Sequence, residues 1–189
     1  MKIIGTGREL PNQVFLMADS AIIKTNKPFF VPHFAQRFTG TPALVLHISR
    51  LGKHIAPRFA HRYCKSIAPA ITVTARELNT PQPSEATSAL AHSFDGALLL
   101  GDSTEVNNHD EINNSVVTID SNGHMAAQGS LQALELDFRA IIAHLSVFFT
   151  LKMGDMIVVE LSGSHFDITM GDTLNAAINQ HQKLTIRVK

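Results

Sequence analysis

Thr41-Pro42-Ala43-Leu44-Val45-Leu46-His47-Ile48-Ser49-Arg50-Leu51-Gly52-Lys53-His54-Ile55 is the stretch on which the fold turns. Its apolar half, Ala43–Ser49, reads as a strand, and its second half as a basic connection. Strand side chains alternate between faces, so Thr41, Ala43 and His47 share one face if Pro42 does not kink the chain. Downstream, Pro57–Cys64 reads as a short helix, with Pro57 suited to its first turn. Ala70–Thr74 is a second strand. Pro83–His92 reads as a helix, with Ser84 available as its cap and Glu85 favourable in the first turn.

Working outward, Lys2–Gly5, Val14–Met17 and Ala21–Lys24 read as short strands, the last two set about a turn at Asp19-Ser20. Asn122-Gly123 between Val116–Asp120 and His124–Ala127 is a hairpin signal, because that dipeptide accepts the positive φ angles of a tight turn. Leu134–Phe149 has the best helical period: Leu134, Phe138, Ile141, Ile142, Leu145 and Phe149 fall on one face, expected to pack into the core. Met156–Glu160 and Leu184–Val188 read as strands, and Gly154-Asp155 and Gly171-Asp172 as two similar turns. Asp102–Asn114 is polar and reads as a solvated surface loop. Its acids lack the glycine and terminal glutamate of a calcium-binding EF-hand loop. Many short strands with few helices predict a β-rich α+β fold with peripheral short helices, in one domain over residues 1–189.

The 189 residues are 44% hydrophobic and 17% charged, as in a globular protein with a sizeable core. Lys plus Arg and Asp plus Glu both number 16, so the net charge is zero. That removes the main electrostatic reason to expect nucleic acid or an anionic membrane as partner. The basic stretch Lys53–Lys65, interleaved with Ile55, Phe59 and Tyr63, reads as a solvated face. Cys64 is the single cysteine, so no internal disulfide can form; it is expected as a passive thiol on a surface helix. Met1-Lys2-Ile3-Ile4-Gly5 has no secretory apolar core, and no apolar run approaches the roughly 18 residues of a membrane span. A cytoplasmic location is expected.

Several segments, in order, resemble those of the fumarylacetoacetate hydrolase family: Phe15-Leu16-Met17-Ala18-Asp19-Ser20-Ala21, Pro28-Phe29-Phe30-Val31-Pro32, Ile48–Ile55, Phe59-Ala60-His61-Arg62-Tyr63, Thr74-Ala75-Arg76-Glu77-Leu78, Ser93-Phe94-Asp95-Gly96, Gln128-Gly129 and Phe149–Asp155. The resemblance covers nearly the whole chain. It implies a compact, mainly β structure with a rolled, mixed sheet, and a homodimer. It also implies chemistry on keto or diketo acids: carbon–carbon bond hydrolysis, decarboxylation or isomerisation.

Active members of that family hold Mg²⁺, Mn²⁺ or Ca²⁺ with a Glu-x-Glu pair and a later aspartate. Hard dications prefer such oxygens, and residues two apart on a strand can reach one ion. In this chain the resemblance places Thr41, Ala43 and Thr72 at those three positions. Each lost carboxylate removes an attraction on the order of 4 kcal/mol at an effective dielectric near 20, so no metal cofactor is expected. His92 stands at the family's catalytic lysine. Gly7-Arg8-Glu9-Leu10-Pro11-Asn12 lacks the histidine of an activating His–Glu pair, and Val159–His165 replaces a substrate-binding loop. The chain is therefore expected to be a divergent member without metal-dependent activity.

Three alternatives follow for the pocket. Arg76, which the resemblance sets at its border, would either make a structural salt bridge or leave a positive site for a small anion or carboxylate, lined by Thr41, Ala43 and Thr72. His92, titrating near neutrality, would act as a general acid/base in a metal-free enzyme. His47 and His92 with Glu77 or Glu160 would offer the two imidazoles and a carboxylate that suit Zn²⁺.

Overall fold

The computed structural model describes residues 1–7, 14–78, 85–161 and 165–189, with residues 85–88 described by backbone alone. The expected Gly7–Asn12 segment beyond Gly7, the helix start at Pro83 and Ser84, and residues 162–164 of the replaced loop lie outside the described residues. In chain order the strands are β1 (Ile3–Thr6), β2 (Val14–Met17), β3 (Ile22–Lys24), β4 (Phe38–Ile48), β5 (Cys64–Ala75), β6 (Leu98–Leu100), β7 (Thr104–Glu105), β8 (Val117–Ser121), β9 (His124–Gly129), β10 (Met156–Glu160), β11 (Phe166–Ile168), β12 (Thr173–Ile178) and β13 (His181–Arg187). The α-helices are α1 (Pro57–Ala60), α2 (Glu85–Ser93) and α3 (Phe138–Phe148).

Two sheets carry the fold. The larger is mixed and curled like half a barrel, in the order β2-β1-β10-β4-β5-β6-β3, with β11 added to β4 and β7 to β5. The pairs β1/β10 and β3/β6 are parallel and the others antiparallel. The smaller is antiparallel, β13-β12-β8-β9, and packs against β4 and β5. Covered on both faces, β4 and β5 are buried along almost their whole lengths, which is why a segment such as Ala43–Leu46 reads as a continuous apolar run rather than as an alternating one. The expectation of a β-rich, mixed-sheet fold with short peripheral helices holds.

Both long strands contain a proline, and each sits where the neighbouring strand changes. β10 pairs with Ala43–His47 and β11 with Phe38–Gly40, leaving Pro42 between them. On β5, β6 pairs with Ala70–Thr72 and β7 with Ser66–Ile67, leaving Pro69 between them. A proline cannot donate to a ladder; here the gap on its N side has no ladder partner to lose, and β4 runs on past Pro42 without a register break.

Some expectations need correction. Cys64 does not lie on a helix; it opens β5 and is buried, because α1 spans only Pro57–Ala60 and a single 3₁₀ turn, His61–Tyr63, feeds the strand. The long helix is shorter than its period. Gln132–Leu134 is a separate 3₁₀ turn, Glu135 takes a left-handed φ of 56°, and the Asp137 side chain caps α3 by accepting from Arg139 N–H at 2.9 Å. Leu134 and Phe149 therefore fall outside the helix, while Phe138, Ile141, Ile142 and Leu145 are its buried face. Asp102–Asn114 is not wholly loop: it contains β7 and a 3₁₀ turn, and Ile112 is buried beneath it.

The hairpin at Asn122-Gly123 is present, with φ of 56° and 86° at the two residues. The two Gly-Asp turns use one device. In each, the glycine is left-handed, and the aspartate carboxylate accepts from the backbone three residues back, Lys152 or Thr169, at 2.8 Å. No helix among the described residues is long and apolar enough to cross a membrane.

Candidate functional site

Register builds the site. Thr39 faces Thr74, Thr41 faces Thr72 and Ala43 faces Ala70 across β4 and β5, while Glu160 of β10 faces Ala43 from the other side. Paired residues share a face, so four threonines, two alanines and one carboxyl line a single side of the central sheet. α2 packs over β2 and β5 and lowers His92 onto that side. There the His92 ring lies 5.3 Å from the Phe15 ring and its Nδ1 is 3.3 Å from Thr74 Oγ1. His165 closes the opposite flank, its Nδ1 2.8 Å from Thr41 Oγ1. Arg76 continues the β5 ladder beyond Thr74, its N–H donating to the Arg37 carbonyl at 2.9 Å.

Thr72 Oγ1 donates to Glu160 Oε1 at 2.7 Å in a buried contact. Burial pushes the Glu160 carboxyl above its usual range, and the Thr72 hydroxyl only partly opposes that. Burial, then His165 and then Arg76 push His92 below the usual histidine value; burial and then Arg76 do the same to His165. The face thus pairs a carboxyl biased toward its neutral form with two imidazoles biased toward theirs, and Arg76 at its edge is the permanent cation. Thr39 Oγ1 is buried and has no hydrogen-bond partner among the described residues.

The structure brings Thr41, Ala43, Thr72, Arg76 and His92 together. It separates the others considered for zinc. His47 shares the face of Thr41 but stands six residues along β4, about 20 Å at strand rise, and Glu77 Oε2 turns to accept from Arg37 N–H at 3.3 Å. Among the described residues no group of three His, Cys, Asp or Glu converges on one point. Glu160 is the carboxylate that touches the Thr41–Thr72 pair, and its Oε1 is already engaged.

Reading the sequence singled out neither Thr39 and Thr74 nor His165. A signal for the first two existed: Thr39-x-Thr41 and Thr72-x-Thr74 put polar residues at period two within apolar strands. No local signal ties His165 to Thr41, 124 positions away.

A family model described as "Fumarylacetoacetate (FAA) hydrolase C-terminal" matches residues 5–189. Among solved structures, fumarylpyruvate hydrolase from Pseudomonas aeruginosa in complex with Mn2+ and pyruvate is 17% identical with a TM-score of 0.86, over 100% of this chain and 89% of that one. The 2-hydroxyhepta-2,4-diene-1,7-dioate isomerase from Mycobacterium marinum is 22% identical with a TM-score of 0.86, over 99% of this chain and 73% of that one. The 5-carboxymethyl-2-hydroxymuconate delta-isomerase from Mycobacterium smegmatis is 22% identical with a TM-score of 0.84, over 99% and 78%. At these identities the likeness establishes a shared fold. No curated protein matches the chain.

Proposed function

Since the chain belongs to the fumarylacetoacetate hydrolase family, we propose that its threonine-lined face binds a small carboxylate without a divalent metal and does not carry out a metal-dependent reaction. The observation that carries this is the donor set. Thr41, Ala43 and Thr72 supply two neutral hydroxyls and a methyl, and the carboxyl beside them, Glu160, is bonded to Thr72 and biased toward its protonated form. Hard dications need several anionic oxygens, and these residues do not fit one. A small carboxylate is a better match for Arg76, for the Thr39 hydroxyl, which has no partner among the described residues, and for whichever imidazole N–H His92 and His165 present. Pyruvate is the natural first probe, because the Pseudomonas aeruginosa structure carries it.

Calorimetric titration with pyruvate in EDTA is expected to give saturable binding that Arg76→Ala weakens at least about tenfold. Unchanged affinity in that variant would overturn the assignment. Elemental analysis of protein purified without chelator is expected to find no stoichiometric Mg²⁺, Mn²⁺, Ca²⁺ or Zn²⁺.

A second reading is a metal-free enzyme on a keto or diketo acid, hydrolysing a carbon–carbon bond, decarboxylating or isomerising. It is favoured by one observation: His92 and His165, both biased toward the neutral form that accepts protons, flank a buried carboxyl biased toward the form that donates one. Turnover of a keto acid in EDTA, lost in His92→Gln, would select it.

The proposal takes residues 1–189 as one domain, supported by the core that joins both sheets. It takes the protein as a cytoplasmic homodimer, with no nucleic-acid or membrane partner. The exposed Val147, Phe148 and Met153 near the end of α3 support self-association, and the balanced charge gives no basis for a polyanion partner.

A further inference from the structure

At the far end of β4, eight residues and about 26 Å of strand from Thr41, the chain forms a concavity of about 590 Å³. Five of its lining side chains are basic: Arg50, His61, Arg62, Lys65 and His109. They come from four places: the turn after β4, the 3₁₀ turn leading into β5, the start of β5 itself, and the segment after β7. Among the described residues no Asp or Glu lines it. In a chain of zero net charge, such a collection is a local departure that focuses positive potential within a concave wall.

The cations are partly fixed in advance. The Arg62 guanidinium sits 5.0 Å from the centre of the Phe59 ring, whose other cation contact, Arg58, is at 4.7 Å. His109 Nε2 is 3.0 Å from the Cys64 carbonyl. A carbonyl only accepts, so Nε2 carries the hydrogen and Nδ1 remains as the second ring position. The His61 and His109 rings meet edge to face at 5.8 Å, and His109 stacks on Phe138. Lys65 has an exposed partner in Glu105 at 3.1 Å, an ion pair of the kind worth little in solvent. Arg50 and Arg62 have no ion-pair partner among the described residues.

We propose that this groove is a binding site for a phosphate-bearing small molecule. Two guanidinium forks and an ammonium exceed what one carboxylate can balance, whereas a phosphate or diphosphate offers multiple charges and oxygens in the geometry that guanidinium recognises. The volume lies within the range of small-ligand sites and well above that of a bare ion. The site is distinct from the threonine-lined face and stands whether or not that face binds a carboxylate. It also revises the expectation that the Lys53–Lys65 stretch is only a solvated face.

The test is an NMR titration of the full chain with inorganic pyrophosphate at physiological ionic strength, following the imidazole carbons of His61 and His109. Saturable shifts confined to these two histidines are expected, with affinity reduced at least about tenfold in the Arg50→Ala/Arg62→Ala variant. Both arginines are exposed, and an unchanged unfolding curve verifies that the variant folds; Lys65→Glu should weaken binding in the same direction. Absence of saturation, equal shifts with sodium chloride or acetate at matched ionic strength, or full binding by the double variant would each overturn the proposal. Tighter binding to a single-stranded oligonucleotide than to pyrophosphate, growing with its length, would overturn the small-molecule class.

Discussion

At Glu160 a single proton decides between two descriptions of the threonine-lined face. The carboxyl is buried and its folded-state value is raised from the usual 4.5. A raised carboxyl takes up a proton more readily in the folded state than in the unfolded one. Stability is therefore highest below about pH 4.5 with respect to this group and is lost as pH rises through the folded value. Glu160→Gln should raise the urea midpoint at about pH 8 and leave it unchanged at about pH 4; an equal gain at both values would mean the carboxyl is not strained by burial. Thr72→Val removes its donor and should cost about 1–2 kcal/mol in the same measurement near neutrality.

His92 and His165 work with the opposite sign. Their lowered values favour the neutral ring in the folded protein, so the stability they contribute is present above the usual 6.5 and is lost as pH falls through the folded values. A bound carboxylate favours imidazolium. Pyruvate affinity should therefore increase as pH falls below about 6.5, with proton uptake visible as a dependence of calorimetric heat on buffer ionisation enthalpy. A pH-independent affinity would remove both histidines from the binding step.

Elements explain what could be read in the sequence and what could not. Ala43–Ile48 of β4 and Ala70–Thr74 of β5 were legible because both faces are buried and the apolar run marks them directly, whereas Phe38–Pro42 and Cys64–Pro69, interrupted by Thr, Gly, Lys, Ser and Pro, went unread. The Asn122-Gly123 hairpin was legible because only certain residues accept its turn. β6, β7, β11 and β12 went unread, since strands of two or three residues, or strands such as Thr173–Ile178 with a mixed pattern, gain stability from neighbours rather than from local preference. The same limit applies to the site: Thr41 and Thr72 followed from the family motifs, Thr39 and Thr74 did not, and Glu160 and His165 reach them through the β10 register and a contact far apart in sequence.

One close approach links the two sheets to the site. A Cβ on Gly129 of β9 would lie 2.4 Å from the Leu161 carbonyl oxygen, one residue beyond Glu160. Backbone cannot swing aside as a side-chain tip can. Gly129→Ala should cost about 1–3 kcal/mol by urea unfolding and weaken pyruvate binding without touching the ligand. Pro42→Ala, at the gap between β10 and β11, should change stability by less than about 1 kcal/mol, because no ladder bond is gained or lost.

The whole molecule is a core shared by two sheets, with an anion site proposed at each end of its longest hairpin. As a homodimer it should elute and scatter light at twice the 20.6 kDa chain mass; a monomer at micromolar concentration would remove that part of the proposal. The buried start of β5 carries a practical consequence. The Cys64 thiol is pushed up to about 12 by burial, so in the native protein there is almost no thiolate for an alkylating or disulfide reagent to meet. With a single sulfhydryl in the chain, any labelling by a chromogenic disulfide must wait for the opening that exposes it. The rate of colour formation at low denaturant thus becomes an unfolding clock for the start of β5, readable without mutation or dye, and one that a ligand held by the folded state should slow.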